Sequence, residues 1–214
     1  MIKRVVFDFD GTIADTSELC LRCFHDAWEP HVGHKMTDEE ILATYGLPEE
    51  GMIRKLMSPP WDGALADLYK MYEELHPVLC PGMFDGVAEL INWLKGLVPL
   101  DLLTGKGAHC CDISLKQVGL EHVFDIIIPG DPERLHKVEG LRAIMAQSGC
   151  TANELIYIGD ALSDITACKE AGVLCLSCAW SPVVDATKLE IENPGFVFNT
   201  VGELKAYLKK ELQA

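Results

Sequence analysis

Ile2-Lys3-Arg4-Val5-Val6-Phe7-Asp8-Phe9-Asp10-Gly11-Thr12 is the stretch that decides the fold. Ile2 to Phe7 reads as a short strand, apolar without a break through Val5, Val6 and Phe7, as in a strand covered on both faces. Asp8 and Asp10, two apart on an extended chain, point to the same side. At the carboxyl end of a buried strand they form a concentrated negative site beside the loop Gly11-Thr12. Such a pair is costly unless a cation or a shared proton offsets the repulsion. A solvated Asp-Gly turn accounts for one acid near glycine, but not for the features further along the chain.

Working outward, the pattern after Pro81-Gly82 alternates helices and apolar strands. Helices are expected at Asp85 to Lys95, His109 to Val118, Val138 to Gln147, Ser163 to Glu170 and Val201 to Leu212. Strands are expected at Val98 to Leu103, Phe124 to Ile128, Leu155 to Ile158, Val173 to Leu176 and Phe196 to Phe198. Strands separated by helices imply an α/β fold, a three-layer Rossmann-like parallel sheet with chemistry at the carboxyl ends of its strands. The alternation is interrupted just after the first strand. Thr16 to Trp28 reads as a helix with Thr16 or Ser17 as N-cap, and His31 to Cys80 is helical without a convincing strand. Within it Thr37-Asp38-Glu39-Glu40 has the form of a capping box, and Trp61 to Leu75 is apolar at helical spacing. The expected division is a core of residues 1–15 and 82–214 with an inserted all-helical cap of residues 16–81.

The chain has 214 residues, 49% of them apolar, and a formal net charge of -15. That acidity repels phosphate backbones and anionic bilayers, so neither nucleic acid nor membrane is expected as a partner. No apolar run reaches membrane-spanning length, and the first residues lack the form of a signal peptide, so a cytoplasmic location is expected. Nine cysteines, an odd number, fit reduced thiols. The Cys20/Cys23 and Cys175/Cys178 pairs fall in a helical and a strand-like stretch, without the tight turns of a zinc knuckle.

A second acidic pair answers the first. Leu155-Ile156-Tyr157-Ile158-Gly159-Asp160 ends another apolar strand, and Asp164 follows four residues on, on the same face of the first helical turn. Helix capping alone would account for one of these acids. With Asp8 and Asp10 at the end of another strand, a shared cation site is the better account, and hard oxygen ligands suit magnesium.

Asp8-Phe9-Asp10-Gly11-Thr12-Ile13-Ala14-Asp15-Thr16 resembles the first motif of the haloacid dehalogenase-like superfamily. Leu102-Leu103-Thr104-Gly105-Lys106 is similar to the second, Lys137 to the third, and Gly159-Asp160-Ala161-Leu162-Ser163-Asp164 to the fourth. The four elements occur in order across nearly the whole chain. The helical insertion, with Tyr45-Gly46-Leu47-Pro48 and Cys80-Pro81-Gly82, resembles the phosphoglycolate phosphatase-like branch.

The resemblance implies a magnesium-dependent phosphatase of a small phosphorylated metabolite, working through an aspartyl-phosphate on Asp8 with Asp10 as general acid and base. It implies Asp8, the Asp10 carbonyl and Asp160 as magnesium ligands, with Asp164 behind them. Thr12, Thr104 and the Gly105 amide would hold phosphate oxygens, and Lys137 would balance charge. Gly105 stands where the branch usually has asparagine, and Val138 where it has proline, so Lys106 and Lys116 are rivals of Lys137. An inorganic pyrophosphatase, a phosphosugar mutase and a catalytically silent binding protein of the same fold remain as alternatives. A dehalogenase would have no use for the proton of Asp10.

Other residues read more plainly. His136 is expected in a solvated loop. His25, His31 and His34 lack a second cluster at ligand spacing, and Trp28, Trp61 and Trp93 read as packing residues. Substrate selection is expected in the cap, around Tyr45 to Pro48 and its first helix, and in Gly105-Lys106-Gly107. Hinges are expected near Asp15-Thr16 and Pro81-Gly82. Monomer and homodimer both stay open.

Overall fold

The computed structural model describes residues 1–213. Six parallel strands form one sheet in the order β3-β2-β1-β4-β5-β6. They are β1 (Arg4–Phe7), β2 (Leu100–Leu103), β3 (Ile126–Ile128), β4 (Leu155–Gly159), β5 (Leu174–Cys178) and β6 (Val197–Phe198). Every residue of β2 and β4 is buried; β4 reads as an unbroken apolar run for that reason, while β2 is interrupted by the buried Asp101. β1 lies between β2 and β4, with Phe7 in register with Leu102 on one side and Ile158 on the other. The strand order therefore reverses direction at β1, and the crevice at its carboxyl end is where a doubly wound sheet takes its ligand.

Successive side chains of β1 feed opposite layers. Val5 and Phe7 join a core with α5 (Val87–Lys95), α6 (Ala108–Gln117) and α10 (Val201–Gln213). Val6 joins the other, with α7 (Lys137–Ser148), α8 (Leu162–Ala171) and α9 (Ala186–Glu192). Between β1 and α5 the chain runs through α1 (Ser17–Val32), α2 (Asp38–Leu42), α3 (Glu49–Leu56) and α4 (Asp62–Leu79). Phe24, Trp28, Leu68 and Tyr72 of α1 and α4 belong to the same apolar cluster as Val5 and Phe7, so the helical insert and the sheet share a continuous core.

The capping box at Thr37 and Glu40 forms as expected. At α1, Thr16 occupies the N-cap position but its hydroxyl donates to Asp10, and Asp15 instead accepts from the Ser17 amide (3.1 Å). β2 starts later than the sequence pattern suggests because Pro99 has no N–H for the ladder, although its carbonyl accepts from Val5 (3.2 Å). α9 has no counterpart in the sequence reading. Its Asp185 cap, accepting from Thr187 and Lys188 amides, was the available signal.

Candidate active site

Asp8 follows directly on Phe7, and its N–H donates to the Ile158 carbonyl of β4 (2.8 Å), so the strand ladder holds its backbone. Its side chain, 8% exposed, accepts from the Phe9 amide (2.7 Å) at Oδ1 and from Lys137 Nζ (2.5 Å) at Oδ2. Burial pushes the Asp8 carboxyl up to about 6 even against the pull of Lys137. Lys137 opens α7 and also donates to Asp164 on α8. Burial works against its charge, but Asp164 and Asp8 outweigh that and hold it well above the ordinary lysine range. Asp164 is fully occupied by protein: besides Lys137, it accepts from the Ala161 amide (2.9 Å) and lies 3.2 Å from the Tyr157 hydroxyl.

Asp160, the first residue past β4, is different. Thr12 Oγ1 donates to it at 3.4 Å, and among the described residues it has no ion-pair partner. Burial, Asp164 and Asp8 push its carboxyl well above the carboxylate range. One ligand oxygen each from Asp8, Asp160 and Asp164 lie within 4.8 Å of one another. Gly11, at φ +71, makes room for this arrangement, since a Cβ there would stand 2.0 Å from Asp160 Oδ2. Were the four aspartates 8, 10, 160 and 164 all ionised, the two lysines they share, 137 and 106, would leave them short by two positive charges. Clustered hard oxygens with that shortfall fit a divalent cation such as magnesium.

Asp10 is held from the opposite side. Lys106 Nζ lies 3.1 Å from its Oδ1, and the Thr16 hydroxyl donates to the same oxygen. The Lys106 side chain is only 1% exposed. Its Nζ also donates to the Tyr72 hydroxyl (2.9 Å) and stands over the Tyr72 ring at 4.9 Å. Beyond it the Ser114 hydroxyl bridges Tyr72 (2.9 Å) and His76 (3.0 Å). Glu49 of α3 accepts from the Gly107 amide (2.7 Å), tying the insert to the start of α6.

Asp8, Asp10, Gly105, Lys106, Lys137 and Asp160 all line one cavity of about 660 Å³, roofed by the insert. The sequence-predicted Thr12 and Thr104 are buried and not on its wall: Thr12 backs Asp160, and Thr104 Oγ1 accepts from the Lys106 amide (3.3 Å). Lys116, a rival of Lys137, is exposed on α6 and outside the cavity. His136 corrects the sequence reading. It is 6% exposed, lines the cavity, and burial and Lys137 lower its basicity. His25, His31 and His34 each lie against carboxylates of the insert.

The description "Haloacid dehalogenase-like hydrolase" matches residues 5–177, which span every element of the cluster. The chain belongs to the haloacid dehalogenase-like hydrolases. Among relatives of this hydrolase are a phosphoglycolate phosphatase of Synechococcus elongatus, 25% identical over 95% of the chain and 95% of the relative. A pyrophosphatase, PpaX, of Bacillus velezensis is 24% identical over 95% of the chain and 94% of the relative. The fold is shared with the crystal structure of CbbY from Rhodobacter sphaeroides in complex with phosphate, at TM-score 0.77 and 19% identity over 95% of this chain and 96% of that one. No helix among the described residues of this hydrolase is long and apolar enough to cross a membrane.

The Lys106–Asp10 pair was partly legible, as Lys106 stood out beside Gly105. Tyr72 and Ser114 were not, since nothing in the sequence brings residues 42 apart together. The spacing of Tyr72 and His76 on one helical face was the only available hint.

Proposed function

We propose that this hydrolase cleaves phosphate monoesters by way of an aspartyl-phosphate on Asp8. The observation that carries the reading is the meeting of Asp8, Asp10, Lys137 and Asp160 on one cavity wall at the point where the sheet order reverses. The Asp8 carboxylate attacks phosphorus, and the bond to the ester oxygen breaks. Asp10 gives its proton to the departing alkoxide, which is otherwise a very poor leaving group. Asp10 then takes a proton from water as that water attacks the phosphorus, releasing phosphate and restoring Asp8.

Lys137 balances charge on Asp8 and the phosphoryl oxygens. The Thr104 hydroxyl, behind the wall, accepts from the Lys106 amide and so shapes the loop that offers the Gly105 amide to a phosphate oxygen. Asp8, Asp160 and the Asp10 carbonyl would hold magnesium, with Asp164 fixing Lys137 and the loop at Ala161. Bound there, magnesium supplies the charge that lets an anionic nucleophile meet an anionic phosphate. Residues 16–81 serve as the cap, with the core formed by 1–15 and 82–214, so the cap screens the reacting centre from water.

The test is phosphate release from a panel of phosphate monoesters and pyrophosphate, with and without magnesium, for wild type and Asp8→Asn. Magnesium-dependent release that Asp8→Asn abolishes supports the reading. Release that survives Asp8→Asn rules out Asp8 as nucleophile, and no release from a folded, magnesium-bound protein returns weight to a mutase or a silent binding protein.

A further inference from the structure

We infer that the group leaving with the ester oxygen is an uncharged, largely apolar alcohol and carries no second anionic group. This rests on the monoesterase reading and names its substrate class. The insert presents Phe24, Tyr45, Leu47 and Met52 to the cavity, and the core loops add Leu135, which packs against Gly46, and Val183. Phe24 is anchored by stacking on Trp28 with centroids 4.7 Å apart, and Tyr45 meets its edge at 6.5 Å, so this wall is rigid as well as apolar.

The charges on the wall point the same way. None of the insert's basic residues, Arg22, Lys35, Arg54, Lys55 and Lys70, lines the cavity. Arg54 is engaged with Glu133 and stands over the Trp61 ring at 5.4 Å, and Arg22 is paired with Asp26. The two lysines that do line it are engaged with aspartates: Lys137 with Asp8 and Asp164, and Lys106, 1% exposed, with Asp10. The insert's one charged group on the wall is an acid, Glu49, and burial already raises its carboxyl above the ordinary range.

Two polar atoms on the wall are buried without a hydrogen-bond partner among the described residues, His136 Nε2 and Ser181 Oγ, and burial disfavours the cationic form of the first. A carboxylate or second phosphate on the leaving group would therefore meet a mostly apolar wall and Glu49 with no unpaired lysine or arginine to offset it, which a buried charge does not tolerate. An alkyl or aryl body gains by burial instead, at about 0.8 kcal/mol or about fourfold per methylene. By this argument the leaving groups of phosphoglycolate and pyrophosphate, both anionic, are poor matches, although relatives of about 25% identity carry those names.

The test uses wild-type protein with magnesium and a matched pair of phosphonates, whose C–P bond resists displacement. Dissociation constants of n-pentylphosphonate and 4-carboxybutylphosphonate are compared by titration calorimetry. The expected result is binding of the neutral-ended compound at least about tenfold more tightly. Leu47→Arg, at a half-buried position on the wall, is expected to reverse that order by supplying the missing cation. Equal or tighter binding of the carboxylate-ended compound to wild type overturns the inference, and leaves the monoesterase reading untouched. The expected order together with no hydrolysis of n-butyl phosphate overturns the monoesterase reading instead, and the preference for a neutral body stands.

Discussion

Two carboxylates lie near opposite ends of the same sheet and are treated in opposite ways. Toward the amino end, Asp101 of β2 is fully buried and gripped by Arg4 through Nε (2.7 Å) and Nη2 (2.6 Å), with the Ile126 amide adding a third donor (3.1 Å). At the carboxyl end, Asp160 receives one long hydrogen bond from Thr12 and stands among three other aspartates that share two lysines. The first site is closed: both carboxylate oxygens that burial removes from water have donors, and the pair joins β1 to β2. The second is left open, and its shortfall of positive charge suits it to the divalent cation proposed above. Within one sheet, completeness marks a structural role and incompleteness marks a chemical one.

Substitutions at the two ends should separate these roles. Asp8→Asn is expected to lower phosphate release by at least about a thousandfold while the protein stays folded by circular dichroism, since it removes the proposed nucleophile and no core contact. Arg4→Ala is expected to do the reverse. Leaving Asp101 buried without its cation should cost about 3–5 kcal/mol in urea unfolding, with phosphate release per folded molecule retained. If Arg4→Ala proved neutral in stability, the contrast between a closed and an open end would collapse.

Gly11→Ala tests the open end through its backbone. The new Cβ would stand 2.0 Å from Asp160 Oδ2 at a positive φ, so Asp160 must turn away. Magnesium affinity, measured from the concentration dependence of activity, should fall about 10- to 100-fold, with far-ultraviolet dichroism unchanged.

Metal removal should expose the open end through pH. Burial holds the Asp8 carboxyl at about 6 against its ordinary 3.8, so the folded metal-free chain binds that proton more tightly than the unfolded chain does. This contribution to stability is complete below about 3.8 and is lost as pH rises through about 6. Thermal melts of chelator-treated protein should therefore show this contribution fading across that window. Magnesium, which binds the deprotonated carboxylates, should raise Tm more at pH 8 than at pH 5. An equal rise at both values would remove Asp8 from the metal site. The smallest effect is expected at Asp125, the exposed second partner of Arg4 at 3.3 Å, where Asp125→Ala should cost less than about 1 kcal/mol.

What could be read from the sequence was what one continuous segment carries. Val5 to Asp10 and Leu155 to Asp160 each hold a buried strand and its terminal acid in a single run, so strand, parallel sheet and acidic cluster were all visible. The role of Asp101 was less visible, because Leu100-Asp101-Leu102 shows a charge in an apolar strand but not the Arg4 that answers it. His136 was read as solvated since a histidine between Leu135 and Lys137 has no local reason to be buried; its burial comes from the cavity wall. Lys106 could be placed in its loop, but its enclosure by Tyr72 of α4 and Cys20 of α1 depends on how the insert seats on the sheet. Short α9, with a single fully buried residue in Leu189, offered too little periodicity to be seen.

That enclosure gives the molecule a built-in chemical reporter. Lys106 is rooted in the sheet's loop, but its amine lies among side chains that the helical insert supplies. With the insert seated, an acylating reagent cannot reach it; with α4 lifted away, it can. If the insert opens as the proposed cap would, the rate at which this one amine is labelled, followed by peptide mass spectrometry, counts those openings in protein that carries no introduced probe.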